Sequence, residues 1–293
     1  MSIFAYDFMQ RALLGVLITG LSAPALGIYL VQRRMALIGD GIGHIALTGV
    51  GLALLTGSAP VLTAVVVSAA GAVAVELVRE RGKASGDIAL ALLFYGGISG
   101  GVFLVALSSG RTNTNLMAYL FGSPLTTSAE DLMVMAVLGA VVLAVTMLLR
   151  PWLFAICQDE EYARVAGLPV RALNILLAIT TAVTVTVAMR AVGLLLVSAM
   201  MVVPVAAAQL VTRGFRATMH LAMSIGVVAA AAGIGVAGVY DTAPGATIVL
   251  VAIAIFAAVA TVTSILRSWR RSSLRRSSQA GAEVEPPDVV LQP

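Results

Sequence analysis

The chain has 293 residues, of which 60% are hydrophobic and only 11% charged, and its mean hydropathy is +1.02. Such a composition excludes a soluble globular domain and describes a protein that crosses a membrane several times. The net charge of +4 does not point to nucleic acid, because the basic residues flank apolar runs, and the single cysteine, Cys157, excludes an intramolecular disulfide and a thiolate metal cluster.

Long apolar windows predict nine spans, at 12–31, 36–56, 60–78, 88–108, 131–149, 172–189, 192–211, 221–239 and 245–266, hence an all-α polytopic transmembrane helical bundle. The first span contains Ala23-Pro24-Ala25, similar to a signal-peptidase site. The apolar run continues to Val31 and closes on Arg33-Arg34, so it is expected to be retained. With the N-terminus outside and the C-terminus in the cytoplasm, all of the 18 Lys and Arg except Arg11, Arg111 and Arg190 fall on the cytoplasmic side, as the positive-inside rule favours. Gly39xxxGly43, Gly96xxxGly100 and Gly97xxxGly101, with Gly233, Gly235 and Gly238, have the spacing of close helix packing.

The second span holds Gly39-Asp40-Gly41-Ile42-Gly43-His44. A spacing of four sets Asp40 and His44 about one turn apart on one helix face, which is chelating geometry. Counted from Met35, His44 is expected roughly 13 Å in, close to the middle of the hydrocarbon core. Ionisable groups at such depth usually face a bundle interior or a water-filled path. Two structural readings stand beside this one: Asp40 as the N-cap of a helix starting at Gly41, and His44 as an interior histidine bonded to a carbonyl.

The outer loop carries Asn115-Leu116-Met117-Ala118-Tyr119-Leu120-Phe121-Gly122, too short to span and therefore expected to be interfacial or re-entrant at the outer mouth. The inner loop from Gln158 to Pro169 begins with Asp159, Glu160 and Glu161, continues through Ala163 and stops at Gly167 and Pro169; this predicts a helix of about two turns, either a solvated connector or a docking helix. The seventh span contains Ser198 and Pro204, and a proline at that depth predicts a local break or kink beside a substrate path. Residues 267–293 are expected to form a disordered cytoplasmic tail with its basic start against anionic headgroups. No nucleotide site is encoded: Lys83 follows Gly82, but Ala84 follows it and Leu77 stands where a phosphate loop needs its first glycine.

Taken in order, several motifs resemble those of the integral-membrane permeases of zinc, manganese and iron ABC importers, from about Tyr6 to Leu266. They are Phe8-Met9-Gln10-Arg11-Ala12-Leu13, Arg33-Arg34-Met35-Ala36 leading to Asp40 and His44, and Tyr119-Leu120-Phe121-Gly122. Further along come Ala163 with Gly167-Leu168, Leu195 to Pro204, and Asp241 with Pro244-Gly245. The resemblance implies a non-enzymatic transport subunit in the bacterial plasma membrane that works as two permease chains with cytoplasmic ATPase subunits and an extracytoplasmic metal-binding protein. It implies metal passage at Asp40 and His44, an ATPase-coupling loop at Asp159, Glu160, Glu161, Ala163 and Gly167, and no permanently bound cofactor, the transported zinc, manganese or iron being cargo. Where the family has larger small residues, this chain has Gly41-Ile42-Gly43, which leaves helix continuity there open. Two alternatives remain from the residues: a permease for chelated metal such as a siderophore, haem or cobalamin, and an ion-coupled secondary carrier. A membrane enzyme is disfavoured, with no second carboxylate expected at depth.

The orientation is checked by cysteines at single sites: Ser58→Cys and Ser277→Cys should label from opposite faces of the membrane. Labelling of both from outside would overturn it.

Overall fold

In the computed structural model, the structure describes residues 7–80, 86–108, 120, 122, 128–240 and 242–282. Every regular element among them is a helix: α1 (Asp7–Gln32), α2 (Ile38–Thr56), α3 (Pro60–Glu80), α4 (Gly86–Leu107), α5 (Ala129–Leu148), α6 (Arg150–Gln158), α7 (Glu160–Val165), α8 (Val170–Ala191), α9 (Leu194–Val211), α10 (Phe215–Tyr240) and α11 (Pro244–Ala282). Eight of these are long and apolar enough to cross a membrane. The seventh expected span corresponds to α9, whose apolar part, Val197–Val211, is shorter.

Helix ends follow local chemistry. Ser128 and Asp131 close a capping box at the start of α5: the Asp131 amide donates to Ser128 Oγ (3.0 Å) and the Ser128 amide to Asp131 Oδ2 (3.3 Å). Asp159 caps α7 by accepting the Tyr162 amide at 2.9 Å. Gly57, at φ +70°, ends α2 in the left-handed region where no Cβ is tolerated cheaply.

The helices fall into two groups by burial. The apolar windows of α1, α2 and α8 are 72%, 61% and 67% buried inside the chain, whereas those of α3, α4 and α5 are 22% and that of α11 is 17%. The first group is therefore the centre of the bundle, and the second offers apolar surface to lipid or to another chain. At the centre, Tyr29 of α1 is fully buried and donates its hydroxyl to the Thr146 carbonyl of α5 at 2.6 Å. Close backbone approach brings α10 onto α1, where a Cβ on Gly20 would lie 2.7 Å from the Gly226 carbonyl oxygen.

The helices bear on several expectations. Helix α2 is continuous through Gly41 and Gly43, because close neighbours take the space their side chains would need: a Cβ on Gly43 would meet Leu194 Cδ1 at 2.7 Å and one on Gly41 would meet Leu90 Cδ1 at 3.1 Å. Asp40 lies in the first turn of α2. At about 1.5 Å of rise per residue His44 is then roughly 9 Å along the helix, closer to its middle at Leu47 than to its first residue. Helix α9 continues on both sides of the buried Pro204 without a break. Helix α11 runs on to Ala282, well past 266, where disorder was expected; a helix already nucleated extends through arginine, leucine and alanine at little cost. Of the outer-loop run 115–122, only Leu120 and Gly122 are described; Leu120 packs against the cluster containing Ala46, Leu47, Val50 and Leu194, and the rest of that expected re-entrant segment lies outside the described residues, as do 283–293.

Two expected outcomes follow from the packing. Gly97 of α4 faces α2, where an added Cβ would lie 2.5 Å from the backbone carbon of His44, while Gly96 faces open space. Gly97→Ala should lower the thermal unfolding midpoint of the detergent-solubilised protein, since overpacking costs about 1–3 kcal/mol against a helix-propensity gain of up to about 1. Gly96→Ala should leave the midpoint unchanged or raise it. Cys157 in α6 donates its thiol to the Tyr29 carbonyl at 3.7 Å, and burial pushes that thiol up to about 11. It stays protonated at neutral pH, so a maleimide should label it slowly in the folded protein and quickly after denaturation.

Candidate metal site

Asp40 and His44 lie one turn apart on α2, as their spacing requires. Asp40 Oδ1 accepts a 2.5 Å hydrogen bond from the Ser198 hydroxyl of α9. Such charge-assisted bonds are short and strong, and this one fixes the carboxylate while using one of its two oxygens. Gly39 makes the approach possible: a Cβ there would sit 3.1 Å from Ser198 Oγ and 3.3 Å from Met201 Sδ. Of the two expected path residues, Ser198 is thus brought directly to the pair. Pro204 is buried in α9 and six residues further along, on a different face of that helix.

His44 is 7% exposed, and its ring meets the Phe94 ring of α4 edge-on with centroids 4.4 Å apart. Its Nδ1 is buried and has no hydrogen-bond partner. The expected alternative of an interior histidine bonded to a carbonyl therefore fails at this nitrogen, and the alternative of Asp40 as an N-cap fails because α2 already begins at Ile38 with Leu37 as its cap residue. A buried imidazole nitrogen left unpaired costs free energy, which a cation accepting its lone pair would recover.

The neighbours of α2 define where the pair looks. Gly39 and Gly43 face α9 and α8, Gly41 faces α4, and Thr48 donates to the Gly97 carbonyl of α4 at 2.8 Å. At about 100° per residue, Asp40 and His44 fall on the arc between these directions, along the seam between α4 and α9. Among the described residues, no group of three or more His, Cys, Asp or Glu is placed to hold a metal ion, and Asp40 with His44 is a candidate pair of donors.

A second polar cluster lies at the other end of the Arg33–Leu37 turn, around Glu160. Arg33 donates to Glu160 Oε2 at 3.0 Å and to Asn174 Oδ1 at 2.8 Å, and Asn174 donates to Glu160 Oε1 at 3.2 Å. Arg79 grips Glu76 with two bonds, 3.0 and 2.7 Å, and lies 3.8 Å from Glu160. Glu160 and the buried Ala163, expected to face a cytoplasmic partner, turn toward the rest of the chain, whereas Glu161 and Gly167 are exposed and Asp159 is spent on its capping bond. The outward surface of α7 includes Tyr162 and Val165, 70% and 87% exposed.

Reading the sequence missed this cluster. Glu76 is a carboxylate inside the third expected span, contrary to the expectation of none besides Asp40, and the only local sign of its partner was Arg79 three residues on. Asn174 in an otherwise apolar span was a second such sign.

Comparison with known proteins agrees with this architecture. Residues 5–263 match the model of the ABC 3 transport family. The manganese transport system membrane protein MntC of Halalkalibacterium halodurans is 33% identical over 87% of this chain and 87% of its own. The chelated iron transport system membrane protein YfeD of Yersinia pestis is 34% identical over 85% of this chain and 83% of its own. Among solved structures, PsaBC from Streptococcus pneumoniae in complex with Fab superposes with a TM-score of 0.79 at 27% identity, covering 87% of this chain and 91% of that one. With a family match across nearly its whole length and relatives of this identity, the chain belongs to the ABC 3 transport family.

Proposed function

We propose that this multi-pass protein of the bacterial plasma membrane is the permease of an ATP-driven importer of divalent metal ions, and that Asp40 and His44 ligate the ion in transit. The observation that carries the reading is the buried, unpartnered His44 Nδ1 one turn from a carboxylate fixed by Ser198. Charge favours a second copy of the chain at the site. One Asp40 leaves a divalent cation with a net positive charge in apolar surroundings, whereas two Asp40 carboxylates neutralise it, and burial of uncompensated charge is costly. The α4/α9 seam would face the two-fold axis, each copy giving one carboxylate and one imidazole.

Carboxylate and imidazole suit zinc, manganese and iron alike, and manganese and iron are the metals in the names of the relatives. An exchangeable ligand set is what transit requires, because the ion has to leave again. Hydrolysis would occur in separate cytoplasmic ATPase subunits, and an extracytoplasmic metal-binding protein would deliver the ion. The loop from Asp159 to Gly167 would receive the ATPase on the exposed side of α7, at Glu161, Tyr162 and Val165, rather than at Glu160 or Ala163, which are turned inward.

Asp40→Asn and His44→Ala should each lower accumulation of radiolabelled manganese or zinc more than tenfold, with unchanged protein level and copurification with the ATPase. Neutral imidazole is the ligating form, so uptake should also fall as acid protonates it. Normal accumulation by the Asp40→Asn, His44→Ala double variant would overturn the assignment.

A further inference from the structure

The turn that joins α1 to α2 is tied by several backbone hydrogen bonds. Arg34 adopts the left-handed conformation, φ +58°, and closes α1 as a glycine commonly does: its amide donates to the Val31 carbonyl at 3.1 Å, and the Met35 amide donates to the Leu30 carbonyl at 2.9 Å. The Ile38 amide then donates to the Met35 carbonyl at 3.0 Å, and the Asp40 amide to the Leu37 carbonyl at 3.1 Å. From Arg33 to Asp40 the backbone is thus a chain of short hydrogen-bonded loops, and a displacement of one end moves the other.

The Arg33 end of that turn is held by two helices. The Arg33 side chain is 7% exposed, and its guanidinium is divided between Asn174 of α8 and Glu160, the first residue of α7. Separating Arg33 from Glu160 would leave a buried guanidinium without its carboxylate, so the pair resists being pulled apart more than a surface ion pair would. Beside the turn lies a cavity of about 670 Å³, with Gln32 to Ile38 on one side and Glu76, Arg79, Cys157 and Glu160 among the residues on the other. The turn has space to move into.

We propose that Arg33 is the positioning residue through which movement of α7 reaches Asp40: the Arg33–Glu160 pair acts as a strut, and the tied turn acts as a lever that swings the first turn of α2, and with it the Asp40 carboxylate, toward or away from Ser198. This rests on the metal-import reading above and names how its site is opened and closed. The physical warrant is the continuous set of bonds between two elements, not their proximity. Asn174 holds the same guanidinium against α8, so the strut pivots about a fixed point.

The test uses the full-length permease assembled with its ATPase subunits in proteoliposomes, with manganese uptake and phosphate release measured together. Arg33→Gln should assemble normally and hydrolyse ATP within about twofold of the unmutated complex, while manganese carried per ATP falls more than tenfold. Arg33→Lys, which keeps the charge but cannot span both partners, should fall between. Glu160→Gln should lower uptake similarly, and the Arg33→Gln, Glu160→Gln double variant should be no worse than either alone, because both changes remove one link. In a Cys157→Ser background, a short thiol-specific cross-linker joining Arg33→Cys to Glu160→Cys should restore uptake per ATP that the uncross-linked pair has lost. Unchanged uptake per ATP in Arg33→Gln, multiplicative losses in the double variant, or no recovery on cross-linking would each overturn the strut. An unmutated complex that shows no ATP-driven metal uptake would overturn the proposed function itself, and the strut with it.

Discussion

A hydrogen bond between a serine and an aspartate, 158 residues apart in sequence, fixes the relation of α2 to α9, and the candidate site depends on it. It requires helices that approach more closely than ordinary side chains allow, which is why glycine recurs along α2 and on its neighbours. Apolar burial supplies little drive between helices inside a bilayer, so close van der Waals contact and interhelical hydrogen bonds have to hold them. Gly39 against Ser198, Gly97 against His44 and Thr48 bonded to the Gly97 carbonyl are three expressions of one constraint. Because α2 is clasped on both sides, its ionisable pair is held in place without having every polar atom satisfied.

Incomplete satisfaction is the chemically useful part. A histidine bonded at both nitrogens and an aspartate occupied at both oxygens would have nothing to offer a cation. Here one carboxylate oxygen takes the serine hydroxyl, and one imidazole nitrogen is buried without a partner. The pair is thus oriented by the protein yet open in its coordination. A full set of four ligands in one chain would instead favour retention of the ion.

The cluster around Glu160 solves a different problem. A short helix of six residues cannot hold its own position by backbone bonds alone, and α7 is anchored by its capping Asp159, by the buried Ala163 and by the ring of donors around Glu160. The result joins α1, α3, α7 and α8 at one end of the bundle through polar contacts that water does not fully reach. Glu76 and Arg79, both on α3, complete this layer and keep a buried carboxylate neutralised.

Much of this was legible in the residues alone. The spans follow from hydropathy, the common face of Asp40 and His44 from their spacing, and the stop after α7 from Gly167 and Pro169, because each depends on local geometry. Tertiary structure alone decided that Ser198 meets Asp40, that Glu160 and Ala163 turn inward, and that α2 is continuous through Gly41 and Gly43. The reason lies in the solvent. Lipid and neighbouring helices are equally apolar, so hydropathy marks where a membrane helix runs without marking how it is rotated, and rotation determines which polar side chains meet.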